Sequence, residues 1–209
     1  LKLPQQCPGC GEVVSPTAKF CSGCGQSLTS AVEDSAASGL PNQTGERRQA
    51  TVLFSDLSGY TDMNEKLDPE EVQELMRRLK ERAVEIVEAH RGIVSQFVGD
   101  EVMALFGIPT AHGDDPIRAA RVAKALHALA REFSPLVEKK IGRPLRMHTG
   151  INTGLVVTSR EDLRDGAIGV TGDTVNIAAR LRALADTDTI LLGNETARQV
   201  ATHFKTVSL

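Results

Sequence analysis

The stretch Ala50–Thr61 reads ATVLFSDLSGYT. Its first half is a run of apolar and β-branched residues with the composition of a buried strand, Thr51 to Leu57. Asp56 stands where that run stops, Gly59 follows, and a helix is expected to start soon after. A carboxylate at the mouth of a buried strand is costly unless something satisfies it. Either Asp56 caps the next helix, or it holds something charged.

Working outward, Pro69 to His90 reads as a long amphipathic helix. Val72, Leu75, Met76, Leu79, Ala83, Ile86 and Val87 recur at three- and four-residue spacing on one face. Asp68 is its expected N-cap, Pro69 sits at the first helical position and Gly92 ends it. Ile93–Val98 and Glu101–Phe106 read as a hairpin turning at Gly99 and Asp100. A second helix is expected from Asp114 to about Phe133, strands over Leu145–Thr153 and Leu155–Thr158, a third helix over Asp173–Ala185 and a last strand over Thr189–Leu192. The fold class is therefore α+β, on the ferredoxin-like βαββαβ plan, with helices covering one face of an antiparallel-rich sheet.

The chain has 209 residues, enough for one ordinary domain and some extra material. A net charge of −3 gives no basic footprint for nucleic acid or an anionic membrane, and no apolar run spans a bilayer. A cytoplasmic location is the default, and the start at Leu1 rather than Met points to a piece of a longer protein. All four cysteines fall in the first 24 residues, as CPGC and CSGC. Cys7, Cys10, Cys21 and Cys24 form two C-x-x-C pairs ten residues apart, a spacing that suits one structural zinc. Disulfides or a redox site are the alternatives. The stretch resembles the zinc-ribbon modules of many bacterial proteins, so residues 1–25 are expected to form a zinc ribbon. Residues 26–48, rich in Ser, Ala and Gly, read as a flexible linker to a domain over 49–209.

In a ferredoxin-like fold the first strand is central and lies beside the hairpin, so Asp56 and Asp100 can come close. Two carboxylates at one sheet edge repel unless cations lie between them, and oxygen ligands of this kind suit magnesium or manganese. The segment Ser58, Gly59, Tyr60 and Thr61 leads into a helix whose first N–H groups can bind phosphate. Together these features point to a nucleoside triphosphate and phosphoryl-transfer chemistry.

FSDLSGYT and FVGDEVMALFG look like the two metal-binding motifs of the class III nucleotidyl cyclases, and VTGDTVNIAARL resembles that family's transition-state motif. The resemblance covers about Gln49 to Leu209. It implies that Asp56 and Asp100 bind two magnesium or manganese ions, with the Leu57 carbonyl a further ligand. It also implies that Asn176 orients the ribose and Arg180 stabilises charge on the α-phosphate. The site of this family is built across a head-to-tail homodimer, so each copy would supply part of it. The family's base-selecting positions fall on Gln96 and Gly169, which match neither its adenine nor its guanine pattern. The expected substrate is ATP, with GTP as the alternative. A non-catalytic nucleotide-binding module is a further alternative. The family's domain normally continues through further strands, one bearing a lysine for the triphosphate, so the chain reads as truncated, with downstream domains following. VGDEV also invites comparison with the diguanylate cyclase signature, but SDLSGYT and TVNIAAR are foreign to that family. His90 and His148 read as packing or surface residues.

Overall fold

The structure, a computed structural model, describes residues 5–6, 13–14, 45–158 and 169–208. The chain divides into two units, Leu1–Asn42 and Gln43–Leu209. In the first, β1 (Gln5–Gln6) pairs antiparallel with β2 (Val13–Val14). Cys7, Cys10, Cys21 and Cys24 lie outside the described residues, as does most of the expected linker.

The second unit contains β3 (Glu46–Ser58), α1 (Tyr60–Lys66), α2 (Pro69–Ala89), β4 (Ile93–Val98), β5 (Glu101–Phe106) and α3 (Asp115–Ile141). They are followed by β6 (Arg146–Thr158), β7 (Val170–Thr171), α4 (Asp173–Leu184), β8 (Ile190–Leu192) and α5 (Asn194–Val200). The sheet runs β4-β5-β3-β6-β7, and β8 pairs with β6. Its first four strands give the order expected of βαββαβ, all antiparallel, while β8 joins β6 in parallel.

β3 begins at Glu46, inside the expected linker, and pairs with β6 without interruption from Glu46↔Thr158 to Ser58↔Arg146. Residues 46–49 escaped a strand reading because they are polar. They pair with β6 alone, because β5 ends at Phe106 opposite Thr51, and an exposed edge tolerates polar side chains. The two strands expected around Gly154 are one, β6, because Gly154 faces Thr174, whose hydroxyl donates to the Leu155 carbonyl at 2.6 Å. α3 runs past the expected stop to Ile141. Pro135 lies inside it, yet Phe133, Val137 and Ile141 continue the buried stripe at fourfold spacing. The packing energy of that stripe outweighs one lost backbone hydrogen bond.

The helices were expected on one face of the sheet, but they cover both. Leu53 and Leu57 of β3 and Val102, Ala104 and Phe106 of β5 pack with Leu79, Val87, Leu126 and Phe133 of α2 and α3. The alternate residues, Val52, Phe54, Met103 and Leu105, join a second core with Ala178, Val175 and Ala179 of α4. Because side chains alternate along a strand, the same register that buries Leu53 on the α2–α3 side turns Phe54 and Asp56 toward the α4 side. Gly150, opposite Phe54 in the ladder, makes that second layer possible. A Cβ there would lie 2.8 Å from the Leu181 carbonyl carbon and closer still to backbone atoms of Ala178 and Arg182. α4 therefore rests directly on the backbone of β6.

Candidate active site

Asp56 lies near the end of β3, in register with His148 and one step beyond the last β3–β5 pair, Ser55↔Val102. Asp100 sits in the tight turn between β4 and β5, with Gly99 at φ +63. The two carboxyls lie near enough for the charge of one to act on the other. Burial, and then the Asp56 charge, push the Asp100 carboxyl up to about 6. That is the signature of two like charges in one partly desolvated place. A cation between the two carboxylates would relieve that repulsion. Among the described residues no three His, Cys, Asp or Glu side chains converge into a ready-made metal cage, so any cation here takes further oxygen donors from elsewhere. Two converging carboxylates fit magnesium or manganese.

Three side chains to which the sequence reading gave no part in the site complete the cluster. Arg182 of α4 puts Nη1 3.4 Å from Asp56 Oδ2, and its Nη2 pairs with Glu101. Burial pushes the Glu101 carboxyl up, against the pull of Arg182. His148 Nε2 stands 3.4 Å from the same Asp56 oxygen, and its Nδ1 is 3.2 Å from Ser58 Oγ. Burial holds the His148 imidazole below its ordinary value, with Asp56 pulling the other way. His148, expected as a packing or surface residue, is thus a neighbour of the carboxylates. The strand alternation that aims Asp56 at the α4 side aims His148 there as well, and that was a usable signal.

The segment after Asp56 is tied down. Leu57 is buried in the first core, and its register partner is Met147. Ser58 Oγ also lies 3.4 Å from Thr187 Oγ1. Gly59 takes φ +105 against Leu145, Tyr60 packs on the core and Thr61 is exposed. α1, the helix expected after Gly59, has seven residues.

Asn176 and Arg180 do share one face of α4, but both are exposed, and that face is not the one that carries Arg182 to Asp56. Gln96, at an irregularity of the β4–β5 ladder, is exposed and reaches only Met103 Sδ, at 4.0 Å. Gly169 immediately precedes β7. β4 and β7 are opposite edges of the sheet, four strand spacings or about 19 Å apart. One chain therefore brings Asp56 and Asp100 together but keeps Gln96 from Gly169. A cavity of about 470 Å³ lined by Glu88, Arg91, Ile93 and His112 lies at the other end of the β4–β5 hairpin and contains none of the predicted residues.

The profile described as "Adenylate and Guanylate cyclase catalytic domain" matches residues 43–208. The chain belongs to this family. The cyclase domain is 33% identical to Adenylate cyclase 1 of Rhizobium meliloti over 143 residues, 66% of this chain and 21% of that protein. It is 28% identical to the receptor-type guanylate cyclase gcy-23 of Caenorhabditis elegans over 147 residues, 70% of this chain and 14% of that protein. Among solved structures it superposes on the guanylyl cyclase Cya2 with a TM-score of 0.64 at 32% identity, covering 74% of this chain and 79% of that one. The adenylyl cyclase CyaB of P. aeruginosa gives 0.65 at 26% identity, covering 76% and 83%. The chain spans about a fifth or less of the length of these two curated relatives. The cyclase domain thus has relatives named for either purine. Among the described residues no helix is long and apolar enough to cross a membrane.

Proposed function

We propose that this domain converts ATP to 3′,5′-cyclic AMP and pyrophosphate, at a site completed by a second copy of the chain. The observation that carries the reading is the division of labour within one chain. Asp56 and Asp100 lie together, while Asn176 and Arg180 stand exposed on α4. A head-to-tail dimer brings the exposed face of α4 from one copy to the carboxylates of the other, twice.

In the reaction the ribose 3′-oxygen bonds to the α-phosphorus, the bond from that phosphorus to the β-phosphate oxygen breaks, and the hydroxyl proton leaves to solvent. Two magnesium or manganese ions held by Asp56, Asp100 and the Leu57 carbonyl would acidify that hydroxyl and neutralise the departing pyrophosphate. Asn176 holds the ribose in line, and Arg180 meets the charge that grows on the α-phosphate. The backbone from Ser58 to Thr61 cradles the triphosphate. Gln96 of one copy and the Gly169 region of the other flank the base. The Gln96 amide both donates and accepts, so it tolerates adenine and also guanine. The likeness to Cya2 supports a guanylate cyclase as the second reading. The four N-terminal cysteines hold one structural zinc in this reading, and metal analysis of the purified chain checks it, at one zinc per chain.

The deciding experiment incubates the purified chain with ATP and with GTP, each with magnesium or manganese, and identifies products by mass spectrometry beside Asp56→Ala. Cyclic AMP that disappears in the variant supports the proposal. Cyclic GMP replaces the base assignment and keeps the mechanism. No cyclic product from a folded dimer overturns the catalytic reading and leaves a nucleotide-binding module.

A further inference from the structure

Helix α4 faces two ways, and only one of its faces is absorbed by the proposed reaction. Asn176 and Arg180 point outward, while Arg182 folds back onto its own chain's carboxylates with its side chain about three-quarters covered, at 26% exposure. There it meets Asp56 and Glu101, whose side chains are 21% and 16% exposed, and Asp100 lies against Asp56. The two contacts of the guanidinium differ. Nη2 is closely paired with Glu101, whereas Nη1 reaches Asp56 at 3.4 Å, near the limit of a hydrogen bond. The Nε of Arg182 has no hydrogen-bond partner, so the side chain is not locked by a full set of bonds. Glu101 is the nearer ion-pair partner of the guanidinium, and Asp56 the farther one.

We propose that Arg182 is the resident counter-cation of this carboxylate cluster. It neutralises Asp56 in the empty site and gives Asp56 up to an arriving divalent cation while staying paired with Glu101. In doing so it raises the metal concentration at which the site fills. This inference rests on the reading of Asp56 and Asp100 as metal ligands. Its physical basis is competition: a fixed positive charge beside a carboxylate repels an incoming cation and must be displaced from the oxygen that cation needs. The bland alternative is that Arg182 merely fastens α4 to the sheet. Arg182 is a positioning residue, because it acts on metal occupancy and not on the reacting atoms.

The test measures manganese binding to the full 209-residue chain without nucleotide, from the electron paramagnetic resonance signal of free Mn²⁺. Arg182→Gln is expected to tighten binding by about tenfold. Arg182→Lys, which keeps the charge, is expected to stay near wild type. Asp56→Asn is expected to abolish the site. A second measurement needs no variant of Arg182. The guanidinium ¹⁵N signal assigned to it in the native chain is expected to shift as Mg²⁺ is added and to saturate with the metal. Unchanged or weaker manganese binding in a folded Arg182→Gln, or a guanidinium signal that Mg²⁺ does not move, overturns the inference and leaves the metal site standing. Manganese binding that survives Asp56→Asn overturns the metal reading itself, and the inference with it.

Discussion

Replacing Gly150 by alanine tests the seating of α4, on which every exposed catalytic candidate depends. The new methyl would lie 2.8 Å from the Leu181 carbonyl carbon and closer still to the Ala178 oxygen and Arg182 nitrogen, where ordinary contact begins at 3.4 Å. These are backbone atoms of a helix, so no rotamer change relieves the overlap. α4 must move off β6 by about 1 Å, or the strand must bend. Overpacking of this kind costs about 1–3 kcal/mol. For a domain of this size that lowers Tm by about 3–10 °C. The functional loss is larger than the stability loss suggests, because a 1 Å misplacement of positioning groups costs about a hundredfold in rate. Thermal unfolding by circular dichroism and product formation are measured side by side. Gly113→Ala is the control, because a Cβ there meets nothing within 4 Å. A Gly150→Ala protein that melts within a degree of wild type and keeps its turnover refutes the account of α4 resting on the β6 backbone.

The other predictions concern the site. Asp100→Asn is expected to stabilise the metal-free protein at pH 7.5 while destroying manganese binding. The folded-state pKa of about 6 lies above the ordinary 3.8, so stability falls as pH rises between those values and the penalty is complete above 6. The gain in Tm should therefore vanish below about pH 4, and a variant less stable than wild type at pH 7.5 contradicts the assignment. Asn176→Ala and Arg180→Ala are expected to leave Tm unchanged, both being exposed, while product formation drops about 10²–10³-fold. Mixing Arg180→Ala with Asp56→Asn protein should restore part of the activity through one intact shared site, and a mixture as dead as its components argues against sharing. Gln96→Glu leaves a carboxylate that only accepts hydrogen bonds. It should shift the turnover ratio toward GTP by about tenfold, read from parallel assays with the two nucleotides.

Much of this was legible in local patterns. The apolar run ending at Asp56, the tight turn carrying Asp100 and the spacing of Asn176 and Arg180 are each set within a dozen residues, where strand and helix periodicity operate. What escaped is set by residues far apart. Nothing near Arg182 distinguishes it from an exposed helix arginine; its role follows from α4 crossing the sheet beside Asp56. The same is true of the second core. Gly150 and Gly154 sit on one face of β6 at even spacing, and two glycines so placed in a buried strand announce a close backbone approach. That signal was present, and it would have placed α4 opposite α2 and α3. The strand over 46–49 was hidden for another reason: polar residues at an edge obey no alternation, and only their partners in β6 make them a strand.

The β3–β6 ladder also has a consequence in time. Asp56 leaves the ribosome about ninety residues ahead of His148, its register partner. At ~5–20 residues per second the interval is about 5–20 s. Through that interval β3 has β5 to pair with at most, and Val52 and Phe54 lack the α4 layer that later covers them. The nascent chain thus carries a strand of both cores half-dressed for seconds. Asp56 is thus made well before the strand and helix that fix it in place.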